Sequence, residues 1–203
     1  MTEEKYQALL NQLRKQKGVI MCDKLKKLNG LTAEQILEAY GETEPPVDIE
    51  KILRKMGVKY GAFDFSEIEK SASAVVEERG HILGAVTVLG EDIAIIYSEN
   101  STENRRRFTL AHELAHCCQN AAAFDNEGHI EFRFDEYSEH PAEIAANVFA
   151  GKLLIPKDAL MKKYNELIVP LSDTLAREFR VSVHVMEERL KYLQLPFYSP
   201  NSL

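Results

Sequence analysis

The chain has 203 residues, 45% hydrophobic and 28% charged, which suits one globular domain with or without an appendage and excludes wholesale disorder and collagen-like repeats. Its 25 Lys/Arg against 32 Asp/Glu give a net charge of −7, which argues against gripping nucleic acid through the whole surface. No apolar run approaches the roughly 18 residues of a membrane span, no secretory signal opens the sequence, and three cysteines, two of them adjacent, form no disulfide framework. A soluble, reduced, cytoplasmic protein is expected.

The charge is uneven along the chain. Residues 1–30 carry seven Lys/Arg and three Asp/Glu, a net of +4, so the other 173 residues hold −11. Within the basic segment, Tyr6, Leu9, Leu10 and Leu13 recur at helical spacing and predict an amphipathic helix that docks on its own acidic body or on an acidic partner. Thr32 and Gln35 have the spacing of a capping box, and Gly41 can close the short helix that follows. Neither Pro45 nor Pro46 can continue a helix, so residues 42–46 read as a stiff connector. Asp48 suits the N-cap of a helix ending at Gly57.

From residue 58 the pattern changes to strands. Val58–Phe63, Ser73–Glu77, Ile82–Leu89 and Ile93–Tyr97 are β-branched or aromatic stretches, and the tight turns between the last three favour an antiparallel meander. His129–Phe134 alternates polar and apolar, as a further strand would. Helices are expected near 102–120, 141–153, 157–165, 172–179 and 183–193. Strands first and helices later is an α+β arrangement: a small antiparallel or mixed sheet packed on one long helix, with a mostly helical C-terminal part. The segments divide into an N-terminal helical extension (1–44), a central domain (45–168) and a helix-turn-helix-like C-terminal element (169–203).

The chemistry concentrates in His112-Glu113-Leu114-Ala115-His116. At about 100° per residue, the two histidines lie within roughly 40° of one another, one turn apart on one helix face. Two imidazoles so placed can hold one Zn²⁺. Glu113 points about 100° away, beside the metal, where a carboxylate can accept a proton from water without displacing the ion. Phe108, Ala111, Leu114, Ala115 and Cys118 can pack this helix on the sheet, with Ser101 or Thr102 capping its start. Cys117 and Cys118 project away from His116 and read as half-buried thiols. A catalytic zinc needs a third protein ligand and an open fourth position. Candidates are His129, Glu131, Asp135, Glu136, Glu139, His140 and Glu143. Glu143 stands out because Pro141 suits a first helical position, with His140 as N-cap, which puts Glu143 in the first turn of a helix. Asn147, four residues on, shares its face and could orient a ligand imidazole by accepting its second N–H. Tyr137, His129, Arg133 and His140 are candidates to stabilise an oxyanion.

Arg107-Phe108-Thr109-Leu110-Ala111 leading into His112–His116 resembles the active-site helix of the ImmA/IrrE family of metallopeptidases. Glu143-Ile144-Ala145-Ala146-Asn147-Val148-Phe149-Ala150, followed by Leu153–Pro156, resembles that family's second signature, and Pro46–Ile52 its usual entry helix. The resemblance covers roughly residues 45–195. It departs at Ala115, where relatives often have Gly. By position it implies one zinc per chain on His112, His116 and Glu143, with Glu113 as general base and Asn147 as partner of the first histidine. It also implies a regulatory endopeptidase that cuts a repressor-type protein, often one encoded beside it on a mobile element.

Two other functions compete with this one. One is a non-proteolytic adaptor that holds a transcriptional regulator. The other is a DNA-binding regulator working through residues 171–193, whose spacing suits two short helices around a tight turn. Residues 171–203 hold four basic and four acidic side chains, a poor phosphate-binding balance. An extended protein substrate could pair with open strands near 82–97.

Overall fold

The computed structural model describes residues 23–119, 127–134 and 140–199. The amphipathic helix expected around Tyr6–Leu13 lies outside these residues, as do Asp135, Glu136, Tyr137 and Glu139. The architecture is α+β, a four-stranded mixed sheet with helices packed around it.

The chain enters through two short helices, α1 (Asp23–Leu28) and α2 (Ala33–Tyr40). Thr32 and Gln35 form the expected capping box: the Gln35 N–H donates to Thr32 Oγ1 at 3.2 Å, and the Thr32 N–H to Gln35 Oε1 at 2.9 Å. Gly41 ends α2 at φ 69°, a left-handed conformation that glycine adopts without steric cost. Asp48 caps α3 (Ile49–Met56) by accepting from the Lys51 N–H at 2.8 Å.

β1 (Lys59–Phe63) is followed by two short helices, α4 (Ser66–Ser71) and α5 (Ser73–Arg79). The strand expected at Ser73–Glu77 is therefore a helix. Two adjacent valines signalled a strand there, but Ala74, Glu77 and Glu78 are good helix formers. Nor is a side of β2 left for it in a meander, because β2 (Ile82–Leu89) lies between β3 (Asp92–Ser98) and β4 (Glu127–Phe134). The strand order is β1-β3-β2-β4, with β1 parallel to β3 and β2 antiparallel to both its neighbours. The expected meander survives only as the β2–β3 hairpin. Helices α4 and α5 carry the chain from β1 to β2, and the hairpin then returns β3 between them, parallel to β1. This order also corrects the expected open strands at 82–97: β2 and β3 are paired on both sides, and the sheet's edges are β1 and β4.

The long helix α6 (Glu103–Gln119) lies across β2 and β3, and α7 (Pro141–Leu154) lies against α6. Gly84 on β2 permits this closeness. A Cβ there would clash with Thr109 Cγ2 on α6 and stand 2.8 Å from the Ile96 carbonyl oxygen. Leu25 and Ile36 from the entry helices, Leu53, Leu110 and Leu153 from the centre, and Phe179 and Leu190 from the C-terminal part share one buried apolar cluster.

After α8 (Lys157–Glu166), α9 (Ser172–Phe179) and α10 (Val183–Tyr192) form a tight hairpin. Arg180 turns between them at φ 50°, and Ser182 caps α10 by accepting from the Val185 N–H at 3.2 Å. Two buried arginines fasten the hairpin to the body. Arg107 on α6 donates to the Arg180 carbonyl at 3.1 Å and to the Val47 carbonyl at 2.8 Å, while Arg189 on α10 donates to the Ile155 carbonyl at 3.1 Å. Asn104 adds a bond to the Val181 carbonyl at 3.1 Å. No helix among the described residues is long and apolar enough to cross a membrane.

Candidate metal centre

Helix α6 starts where Thr102 Oγ1 accepts from the Arg105 N–H at 3.3 Å. Ala111, Leu114, Ala115 and Cys118 are fully buried and Phe108 partly so, as the sequence predicted. The same burial takes in His112, Glu113 and His116. Across from them, α7 begins at the N-cap His140, whose Nδ1 accepts from the Ala142 N–H at 3.3 Å, with Pro141 in its first turn. That start sets Glu143 facing the two histidines.

The three side chains converge. His112 Nε2 and His116 Nε2 are 3.0 Å apart, Glu143 Oε2 is 3.1 Å from His112 Nε2, and Glu143 Oε1 is 3.2 Å from His116 Nε2. Asn147, one turn after Glu143, completes the arrangement: its Oδ1 accepts from His112 Nδ1 at 2.9 Å. With the proton held on Nδ1, the lone pair of His112 Nε2 faces the centre. His112, His116 and Glu143 thus form a group that could hold a metal ion.

The donor set fits a small cation. Ligands about 2.0–2.1 Å from a tetrahedral ion stand about 3.3 Å from one another, close to the 3.0–3.2 Å spacing seen here. Gathering such acceptor atoms out of water is costly unless something positive sits among them.

The electrostatics agree with that reading. Burial pushes the His112 imidazole down to about 4, and the nearby charges of Arg133 and His116 act in the same direction. The ring is therefore neutral at pH 7, the form that binds metals. Close contact with the His112 ring and then the His116 ring holds the Glu143 carboxyl well below the usual carboxylate range. Cys117 and Cys118 are wholly buried rather than half-buried, and burial pushes the Cys118 thiol up to about 12, which keeps it protonated and unsuited to ligation.

Among the other candidate ligands and oxyanion groups, His140 is engaged as a helix cap. The side chains of His129 and Glu131 lie outside the described residues. Arg133 on β4 was expected only as one of four oxyanion candidates. It donates to Thr109 Oγ1 at 3.1 Å, and its guanidinium carbon lies 5.1 Å from the centroid of the Phe108 ring. Phe108 in turn lies 6.3 Å from the His112 ring. A cleft of about 1000 Å³ opens beside the trio, with Arg133, Glu143 and Asn147 in its lining. Sequence reasoning missed that α10 lines it too. The one available signal was the i, i+7 recurrence of Val185 and Tyr192 on one helix face.

Two histidines one turn apart on a buried helix, with a glutamate from the next helix closing the set over a small mixed sheet, define a metallopeptidase-type site. Residues 87–191 match the family model Peptidase_M78, described as the IrrE N-terminal-like domain. The chain belongs to that family, whose members' peptidase character agrees with the site. No curated protein matches the chain.

Proposed function

We propose that the protein is a zinc-dependent endopeptidase, with one Zn²⁺ held by His112, His116 and Glu143 and with Glu113 as general base. The observation that carries this reading is the convergence of three side chains, their ligand-type atoms in contact at 3.0–3.2 Å, at the side of a cleft. Two imidazoles and one carboxylate suit zinc better than magnesium or calcium, which prefer oxygen-rich sets. When bound, zinc supplies an acidified water and a polarised scissile carbonyl.

The chain's own groups do the rest. Glu113 follows the first ligand and lies about 100° round the helix from it, so it borders the trio without entering it. Its carboxylate accepts the proton of the attacking water and returns it to the leaving amine. Asn147 holds the His112 ring in the orientation and tautomer that ligation needs. Arg133 lines the same cleft and acts on His112 through its charge, which makes it the group we assign to the developing oxyanion.

The resemblance to the ImmA/IrrE family supports a regulatory substrate: a repressor-type protein, often encoded beside the peptidase on a mobile element. Direct DNA recognition through α9 and α10 has little to rest on. Arg189 is buried against a carbonyl, and Lys191 pairs with Glu188 at 2.8 Å.

Metal analysis of the purified protein, then incubation with the neighbouring gene's repressor followed by mass spectrometry, tests the proposal. One zinc per chain and a single new pair of termini are expected. An intact repressor with zinc bound counts against proteolysis. Glu113→Gln should keep zinc and partner binding while abolishing cleavage; full biological effect from that variant would mean that the protein works as an adaptor.

A further inference from the structure

The cleft beside the metal-capable trio has two opposed walls. On α7, Ile144 and Val148 each follow a residue already assigned, Glu143 and Asn147, and line the same cleft. They are four residues apart and so stand one above the other. Gly151, one turn further on, also lines it, and a Cβ there would meet nothing within 4 Å, so this end of the wall is roomy. On α10, Val185 and Tyr192 recur at i, i+7 on one face. Arg189 and Lys152 both lie near the Tyr192 ring, with their charged groups 5.5 and 5.8 Å from its centroid.

These walls leave large apolar groups open to water: Ile144 is 41% exposed and Tyr192 is 55% exposed. A single exposed apolar residue needs no explanation, but here two, with the half-buried Val148 and Val185 beside them, line one concavity that also contains Glu143 and Asn147. Whatever fills the apolar part is therefore continuous with whatever meets Glu143. Its volume, about 1000 Å³, is at the upper end of ordinary ligand sites, enough for a few residues of extended chain. The rim charge Lys191 is already paired with Glu188.

We infer that this cleft is the selectivity pocket of the peptidase: it takes a bulky apolar side chain next to the scissile bond of a polypeptide, and the C-terminal α9–α10 hairpin serves as its outer wall. This rests on the peptidase reading above. It gives the helix-turn-helix-like element a role in substrate choice, and explains why two buried arginines and Asn104 anchor it to the body. Ile144, Val148, Val185 and Tyr192 are specificity-determining residues and take no part in the bond-breaking step.

Acetylated amino-acid hydroxamates separate side-chain preference from cleavage, because the hydroxamate engages the metal while the side chain probes the pocket. Isothermal titration of the zinc-loaded, full-length protein would compare Gly, Leu, Phe and Glu hydroxamates. Leu or Phe should bind about 10- to 100-fold tighter than Gly, the range expected for burying such a side chain. Ile144→Ser and Val185→Ser should each reduce that advantage at least several-fold, leaving zinc content and the affinity of the Gly compound unchanged. Equal affinities across the series, a preference for Glu, or unaltered preference in both variants would overturn the pocket. Failure of every hydroxamate to bind zinc-loaded protein would do the same. A preserved Leu or Phe preference with no peptide cleaved would instead sink the peptidase reading and leave the pocket standing.

Discussion

Replacing Asn147 with Ala removes a single acceptor, and its consequences can be worked through from the site. His112 is fully buried, and its Nδ1 donates to Asn147 Oδ1 at 2.9 Å. Without that oxygen, a buried N–H loses its partner, at a cost of about 1–3 kcal/mol in the metal-free protein. For a chain of this size that is about 2–4 °C of melting temperature per kcal/mol. A second cost falls on the metal. The tautomer that points the Nε2 lone pair at His116 and Glu143 is no longer favoured, and loss of such an outer partner lowers metal affinity about 10- to 100-fold. Asn147→Asp keeps the acceptor and should retain most of both. Thermal unfolding of the chelator-treated protein and competition against a chromophoric zinc chelator measure the two effects separately. If Asn147→Ala matched wild type in both, the assigned role of Asn147 would be refuted.

Gly84→Ala should destabilise the protein by about 1–3 kcal/mol, read as a lower urea midpoint, because the new methyl would meet both Thr109 Cγ2 and a backbone oxygen. Adding Thr109→Ser removes Cγ2 but keeps the hydroxyl for Arg133, and should recover part of the loss; no recovery would place the clash elsewhere. The metal-free protein should weaken on acidification. His112 is depressed to about 4 from 6.5, so the unfolded chain takes up its proton first, and stability present above pH 6.5 falls as the pH drops towards 4. The full shift corresponds to about 3 kcal/mol. Glu143, also depressed, adds to the loss once the pH falls through the carboxylate range; urea unfolding that stays flat between pH 7 and 4.5 would contradict this. Arg107→Leu should cost about 2 kcal/mol or more, since the carbonyls of Val47 and Arg180 lose their donor. Limited proteolysis should then cut first in the 168–182 region, and cleavage elsewhere would deny Arg107 its clasping role.

Much of the candidate site is legible in the chain because it depends on local geometry. The spacing of His112 and His116 sets them on one face whatever surrounds the helix, and Pro141 with His140 announces where α7 begins. The same holds for the caps at Thr32 and Asp48, each satisfied by a backbone N–H three residues ahead. Ser73–Glu77 shows where this reasoning stops. Its two valines are compatible with a strand and its Ala74 and Glu77 with a helix, and the pairing of β2 on both sides goes with the helix. β2 and β3 likewise read correctly as strands, yet their interior place depends on hydrogen bonds to β1 and β4, which no local pattern encodes.

Residue type and spacing alone therefore singled out His112 and His116 with a short list of third ligands, marked where most helices start and stop, and showed a C-terminal segment with balanced charge. Tertiary structure decided the rest. It brought Glu143 and Asn147 to His112 across more than 30 residues of chain, and let α6 press on β2 at Gly84. It set α10 as the far wall of the cleft through arginines that reach carbonyls 34 and 73 residues away. The physical reason is range. Capping and helical periodicity act within four residues and can be read along the chain, whereas burial and convergence depend on partners that meet only after the core has closed.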